Sequence, residues 1–167
     1  MRLTDYTDYT LRVLIYLGLH PNELVTIQQV ADGYRISKNH LMKIVNQLAQ
    51  SGVVAATRGR NGGVRLAVPP EQINIGAIVR ATESDLRIVE CFDQVNNQCV
   101  LSPACRLRKA IHEALDAFFG VLDGLTLADV IANSGQIRAL VRDRPPLPEH
   151  SLGERPGRRQ ANSRGGG

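Results

Sequence analysis

Between Thr26 and Leu66 the hydrophobic period switches from helical to alternating, and each switch falls at a residue suited to it. Thr26 can cap a helix over Ile27–Tyr34 that faces Ile27 and Val30 inward. A short break at Arg35-Ile36 follows, and Ser37 is placed to cap a second helix over Lys38–Gln50. That helix carries Leu41, Ile44, Val45 and Leu48 on one stripe, and Gly52 stops it. Val53 to Thr57 is β-rich, Arg58–Gly63 holds an Asn-Gly turn, and Val64–Leu66 returns. Helix, short turn, helix, hairpin is the order of a winged helix-turn-helix. The predicted fold class is therefore mainly α with a small β-hairpin wing.

The flanks extend this unit. Residues 3–19 read as a helix through Leu3, Tyr6, Val13, Leu14 and Leu17, ended by His20-Pro21. Asn74 can cap another, through about Glu83. Pro103 is expected to open a long helix to about Gly124. One of its stripes is Leu107, Ile111, Leu115, Phe118 and Leu122, with Ala110, Ala114, Ala117 and Val121 beside it. Thr126 can cap a last helix from Leu127 to Ala132. With 167 residues, 43% of them hydrophobic and no Trp, the chain suits one domain with an aliphatic core and an appended arm.

The net charge of +4 is misleading as a total, because residues 142–167 hold six Arg against three acids and so supply +3 of it. More telling is where the rest sits. From Gly33 to Pro70 there is no Asp or Glu, while Arg35, Lys38, Lys43, Arg58, Arg60 and Arg65 all fall there. A one-signed block of this kind suits a polyanion. The face of the 37–50 helix opposite its core stripe carries Asn39, Lys43, Asn46 and Gln50, and Ser37, Lys38, Asn39 and His40 crowd its first turn. Asn and Gln can pair with adenine, and Lys43 suits phosphate. Gln28, on the preceding helix, and Arg58, Arg60 and Asn61 of the turn complete the expected DNA-contacting set.

Cys91, Cys99 and Cys105 are spaced C-x7-C-x5-C. An odd count in so short a span is unlike a secreted disulfide framework, and the apolar run Leu11–Leu19 follows Asp5 and Asp8 rather than a basic leader. A cytoplasmic, reducing setting is expected. Cys105 falls near a helix start beside Arg106 and Arg108, surroundings that favour a thiolate ligand. Three readings stay open: free structural cysteines, a zinc site lacking the usual C-x2-C pair, or an iron–sulfur cluster with one non-cysteine or open position.

The segments MRLTDYTDYTLRVLIYL, ISKNHLMKIVNQLAQSGVV, RGRNGGVRL, CVLSPACRLRKAI and LTLADVIAN resemble the iron–sulfur winged-helix regulators, from Met1 to about Val141. That family includes NsrR-type nitric-oxide-sensing repressors and IscR-type cluster-assembly regulators, and KNHLMKIVNQL with TDYTLR is closer to the nitric-oxide-sensing branch. The resemblance implies that Cys91, Cys99 and Cys105 are cluster ligands. It implies a homodimer on the long helix, a palindromic operator, and repression relieved when nitric oxide attacks the cluster. A [4Fe–4S] cluster is favoured, with [2Fe–2S] possible. For the fourth ligand Asp8 is the first candidate, since a carboxylate is easily displaced and Arg12 can pair with it afterwards; His112 is the rival. The resulting division is residues 1–83 for the DNA-binding unit, 84–106 for the cluster-binding loop, 103–141 for the dimerisation and C-terminal helices, and 142–167 for a disordered basic tail.

Other classes are less well served. No glycine-rich nucleotide loop and no His-plus-nucleophile constellation is present, which argues against an enzyme. Within the regulators, a reporter of iron–sulfur biogenesis or iron and redox status is the alternative signal, and a zinc-stabilised DNA-binding module without sensing is the alternative device.

Overall fold

The computed structural model describes residues 2–59, 62–93 and 95–142. Helix α1 (Asp5–Gly18) is capped by the Thr4 side chain, which accepts from the Thr7 N–H. Helix α2 (Ile27–Tyr34) begins with a reciprocal capping box between Thr26 and Gln29. It ends at Arg35 in the left-handed region (φ 58°), which turns the chain so that Ile36 drops into the core. Helix α3 (Lys38–Gln50) follows and buries the expected stripe of Leu41, Ile44, Val45 and Leu48. Ser37 stands at the N-cap position, but its side chain makes no capping bond, contrary to expectation.

Strands β1 (Val54–Thr57) and β2 (Gly63–Leu66) pair antiparallel, with Val54 opposite Leu66 and Thr57 opposite Gly63. Val25, just before α2, exchanges both backbone hydrogen bonds with Val64 at 2.9 and 2.8 Å and so anchors the hairpin to the helical body. The chains pass so closely there that a Cβ on Gly63 would lie 3.0 Å from the Val25 carbonyl oxygen.

Helix α4 (Ile75–Thr82) is capped by Asn74, whose carbonyl accepts from Ala77 N–H. The long helix α5 (Arg106–Asp123) starts three residues later than Pro103, because Ser102–Ala104 form turns and Cys105 takes the N-cap position. Helix α6 (Leu127–Val130), capped by Thr126 and Asp129, is shorter than expected. It returns to the body: Leu127 is fully buried, its N–H donates to Ile73 O at 2.8 Å, and Ile75 N–H donates to Leu125 O. Helix α7 (Ser134–Arg142) is a further element that the sequence pattern does not predict. It lies over α2 and the end of α1, where Arg138 donates to the Leu19 carbonyl and Val141 meets the Gly33–Tyr16 contact. Arg142 closes α7, so the expected disordered tail reduces to residues 143–167, which lie outside the described residues.

One core unites α1–α4, the hairpin and α6, centred on Val13, Leu14, Leu17, Leu41, Ile44 and Leu127. The two buried threonines are satisfied: Thr10 Oγ1 donates to Tyr6 O at 2.8 Å, and Thr7 Oγ1 pairs with Thr4 Oγ1 at 3.2 Å. Among the described residues no buried side-chain nitrogen or oxygen lacks a partner. No helix there is long and apolar enough to cross a membrane.

Candidate nucleic-acid interface and cysteine loop

Helix α3 presents two chemically opposite faces. Its core stripe is at most 4% exposed, while Ser37, Lys38, Asn39, His40, Lys43 and Asn46 are all exposed on the outer side. Arg58 is exposed at the hairpin tip. Arg60 and Asn61, also expected contacts, lie outside the described residues. Gln28 is exposed on α2, where its amide donates to Asp32 at 2.8 Å and keeps its second N–H and its carbonyl oxygen for other partners.

Helix α1 buttresses α3 through aromatic side chains. The Tyr6 hydroxyl donates to Gln47 Oε1 at 2.5 Å, and burial holds that phenol above its usual pKa. The Tyr9 ring stacks on His40 with centroids 6.3 Å apart, and the Arg12 guanidinium stands 5.9 Å over the same Tyr9 ring. Arg12 in turn binds Asp8, Nε to Oδ1 at 3.1 Å and Nη2 to Oδ2 at 2.7 Å. Asp8, Arg12, Tyr9 and His40 thus form one chain of contacts ending at the first turn of α3. Of this chain only the Asp8–Arg12 pair is expected from the sequence.

The cysteine loop, residues 84–105, is held by side chain–backbone bonds in place of regular structure. Cys91 lies in a single 3-10 turn, Glu90–Phe92. Asp93 accepts from the N–H groups of Val95 and Asn96 at 3.0 and 3.1 Å. Arg87 bridges Asp85 and Asp93. Glu90 accepts from Gln98 N–H at 2.9 Å. Cys99 N–H donates to Asn97 Oδ1 at 3.0 Å, and Cys105 Sγ accepts from Arg108 N–H at 3.4 Å. The Phe92 ring packs on His112, centroids 5.2 Å apart, which seats the Cys91 turn against α5. His112 also contacts Asp116 at 3.3 Å.

All three cysteines are unpaired and half-buried. As donors they fit an iron–sulfur cluster in kind, soft sulfur ligands carried on one short stretch. Among the described residues, however, no three Cys, His, Asp or Glu side chains converge on a point that could hold a metal. Asp8 and His112 join no such group among the described residues.

The long helix separates its two stripes. Ile111, Leu115, Phe118 and Leu122 are half-buried against the body with Phe119, whereas Ala110, Ala114, Ala117 and Val121 stay exposed. Leu107, expected with the first stripe, is 67% exposed and belongs with the second.

Residues 3–133 match the model of the Rrf2 family, described as an iron-dependent transcriptional regulator. The chain belongs to the Rrf2 family. It is 53% identical over 142 residues to the HTH-type transcriptional regulator NsrR of Bacillus licheniformis, covering 84% of this chain and 99% of that protein. Identity is also 53% over 143 residues with the NsrR of Bacillus subtilis, covering 85% and 98%. Among solved structures, CymR, the global cysteine regulator of B. subtilis, superposes with a TM-score of 0.65 at 25% identity over 80% of this chain and 98% of that one. IscR of T. potens gives 0.63 at 23% over 83% and 91%. These Rrf2 structures share the winged-helix fold read from the sequence.

Proposed function

We propose that this Rrf2 chain is a DNA-binding transcriptional repressor of the NsrR type, whose operator affinity is set by an iron–sulfur cluster that responds to nitric oxide. The observation carrying this reading is the acid-free outer face of α3, where Lys38, Asn39, His40, Lys43 and Asn46 are all exposed, in a chain about half identical to NsrR proteins over most of its length. Asn39 and Asn46 suit base edges, Lys43 and Arg58 suit phosphates, and Arg60 and Asn61 would extend the wing.

Two copies would read a palindromic operator whose half-sites lie about 34 Å apart, one helical turn. The exposed Ala110, Ala114, Ala117 and Val121 stripe of α5 is the natural homodimer face, since small residues let two helices approach closely. Cys91, Cys99 and Cys105 would hold a cluster, [4Fe–4S] favoured, with the Asp8 carboxylate as fourth donor. When bound, the cluster offers iron that nitric oxide attacks.

The chain's own part is mechanical. Thiols that share one ligand fix the loop of residues 84–105 between α4 and α5, and with it the angle at which each α3 is presented. Thiols released from it leave the loop to its own contacts, among them the Asp93, Arg87 and Glu90 bonds. Asp8, once free, is held by Arg12, at the head of the contact chain that reaches His40. A differential of a few kcal/mol between these arrangements is enough to change operator occupancy.

The absorption spectrum of anaerobically purified protein tests the cluster. Brown protein with sulfide-to-iron charge-transfer bands supports it. Colourless protein carrying zinc would mean a structural metal site, and colourless metal-free protein would mean structural cysteines.

A further inference from the structure

Met42 stands on the outer face of α3, 44% exposed. It is one turn from Asn39 on one side and one turn from Asn46 on the other, so the three share a stripe. Every other exposed position of that helix is Lys, Asn, His or Gln. A scattered exposed apolar residue needs no explanation on an ordinary surface. On a helix whose outer face is otherwise wholly polar, its place at the centre of the stripe does. Packing does not account for it, because the core is met by Leu41, Ile44, Val45 and Leu48.

A thioether has no donor and only a weak acceptor, so it cannot satisfy a polar base edge. The apolar feature that the major groove offers is the C5-methyl of thymine, and the amide partners matched to Asn are N6 and N7 of adenine. An amide, a thioether and an amide along one stripe therefore suit a run of A·T pairs.

We propose that Met42 is a specificity residue that contacts a thymine methyl in each half-site, between adenines paired with Asn39 and Asn46. The inference rests on α3 being the recognition helix. Its strength follows from one methyl withdrawn from water, about fourfold in affinity per half-site.

The test uses the full chain, purified anaerobically, and the duplex it selects from a randomised DNA pool. Each thymine of that duplex is replaced singly by deoxyuridine, which removes only the methyl. The expected result is one thymine per half-site whose replacement weakens binding about fourfold for the wild type and not at all for Met42→Ala, with Met42→Leu keeping the sensitivity. Ala favours helix and the site is exposed, so circular dichroism should show both variants folded. A selected duplex with equal deoxyuridine costs for wild type and Met42→Ala would overturn the Met42 role and leave the recognition helix standing. A pool that yields no enriched duplex would overturn both.

Discussion

The Arg80 guanidinium grips the Asp123 carboxylate by two bonds, at 2.5 and 2.8 Å, while lying 4.1 Å over the Phe119 ring. Asn74 reinforces this junction by donating to the Asp123 carbonyl at 2.7 Å. Helix α4 of the DNA-reading unit is thereby clamped to the C-terminal end of α5. Hydrogen bonding from Arg80 holds the Asp123 carboxyl below the usual carboxylate range. A carboxyl depressed on folding stabilises the fold above its unfolded pKa and loses that contribution as pH falls through the folded value. Asp123→Asn should therefore melt below the wild type at neutral pH, and the gap should close as pH is lowered through the acid range. Thermal melts as a function of pH check this, and a gap that widened toward acid would contradict it.

Gly76 is the other half of that junction. A Cβ there would fall far inside van der Waals contact of the Asp123 carboxylate and 3.0 Å from its backbone nitrogen. Gly76→Ala should cost about 1–3 kcal/mol in urea unfolding, as overpacking does. Adding Asp123→Ala should cost less than the sum of the two, because the carboxylate half of the clash is then gone.

Much of this arrangement was legible in the sequence, and the limits are instructive. The α3 stripe, the Thr26, Asn74 and Thr126 caps, and the hairpin at Asn61-Gly62 are local chemistry, and the elements they specify all form. The start of α5 moved from Pro103 to Arg106 because Cys105 Sγ, a side chain rarely considered as a cap, accepts the N–H of Arg108. Helix α7 was missed because its ordering depends on distant partners, Leu19 and Gly33. The same holds for Arg80–Asp123 and Tyr9–His40, which join elements 43 and 31 residues apart in the chain. Met42 left a signal that could have been followed: it is apolar but off the 41, 44, 45, 48 period.

On the DNA face, Lys43→Ala should weaken binding to all duplexes alike and lower the slope of log affinity against log salt by about one. Asn39→Ala should instead cost about 1–3 kcal/mol on the selected duplex and relax sequence preference at one position. Binding titrations at several salt concentrations separate the two. A flat salt dependence of the wild type would contradict phosphate contact altogether.

On the long helix, Ala114→Glu places a charge in the middle of the exposed α5 stripe without touching the core. It should yield a monomer by sedimentation, with circular dichroism unchanged and operator binding lost. A variant that stayed dimeric would move the dimer face elsewhere.

Asp8 offers a sharper test of the sensor. If its carboxylate completes the ligand set, Asp8→Ala should alter the cluster absorbance and its nitric-oxide response. Arg12→Ala, which frees Asp8 from its ion pair, should slow cluster loss. Unchanged absorbance and response in Asp8→Ala would remove Asp8 from the ligand set.

Control of α3 by the cysteine loop is read most directly in operator affinity. Anaerobically purified protein is titrated onto its selected duplex in a gel shift, before and after stoichiometric nitric oxide, with the cluster-free protein alongside. Tight binding by the cluster-loaded protein, with weak binding by the other two, is the predicted result. Equal affinity in all three would contradict it.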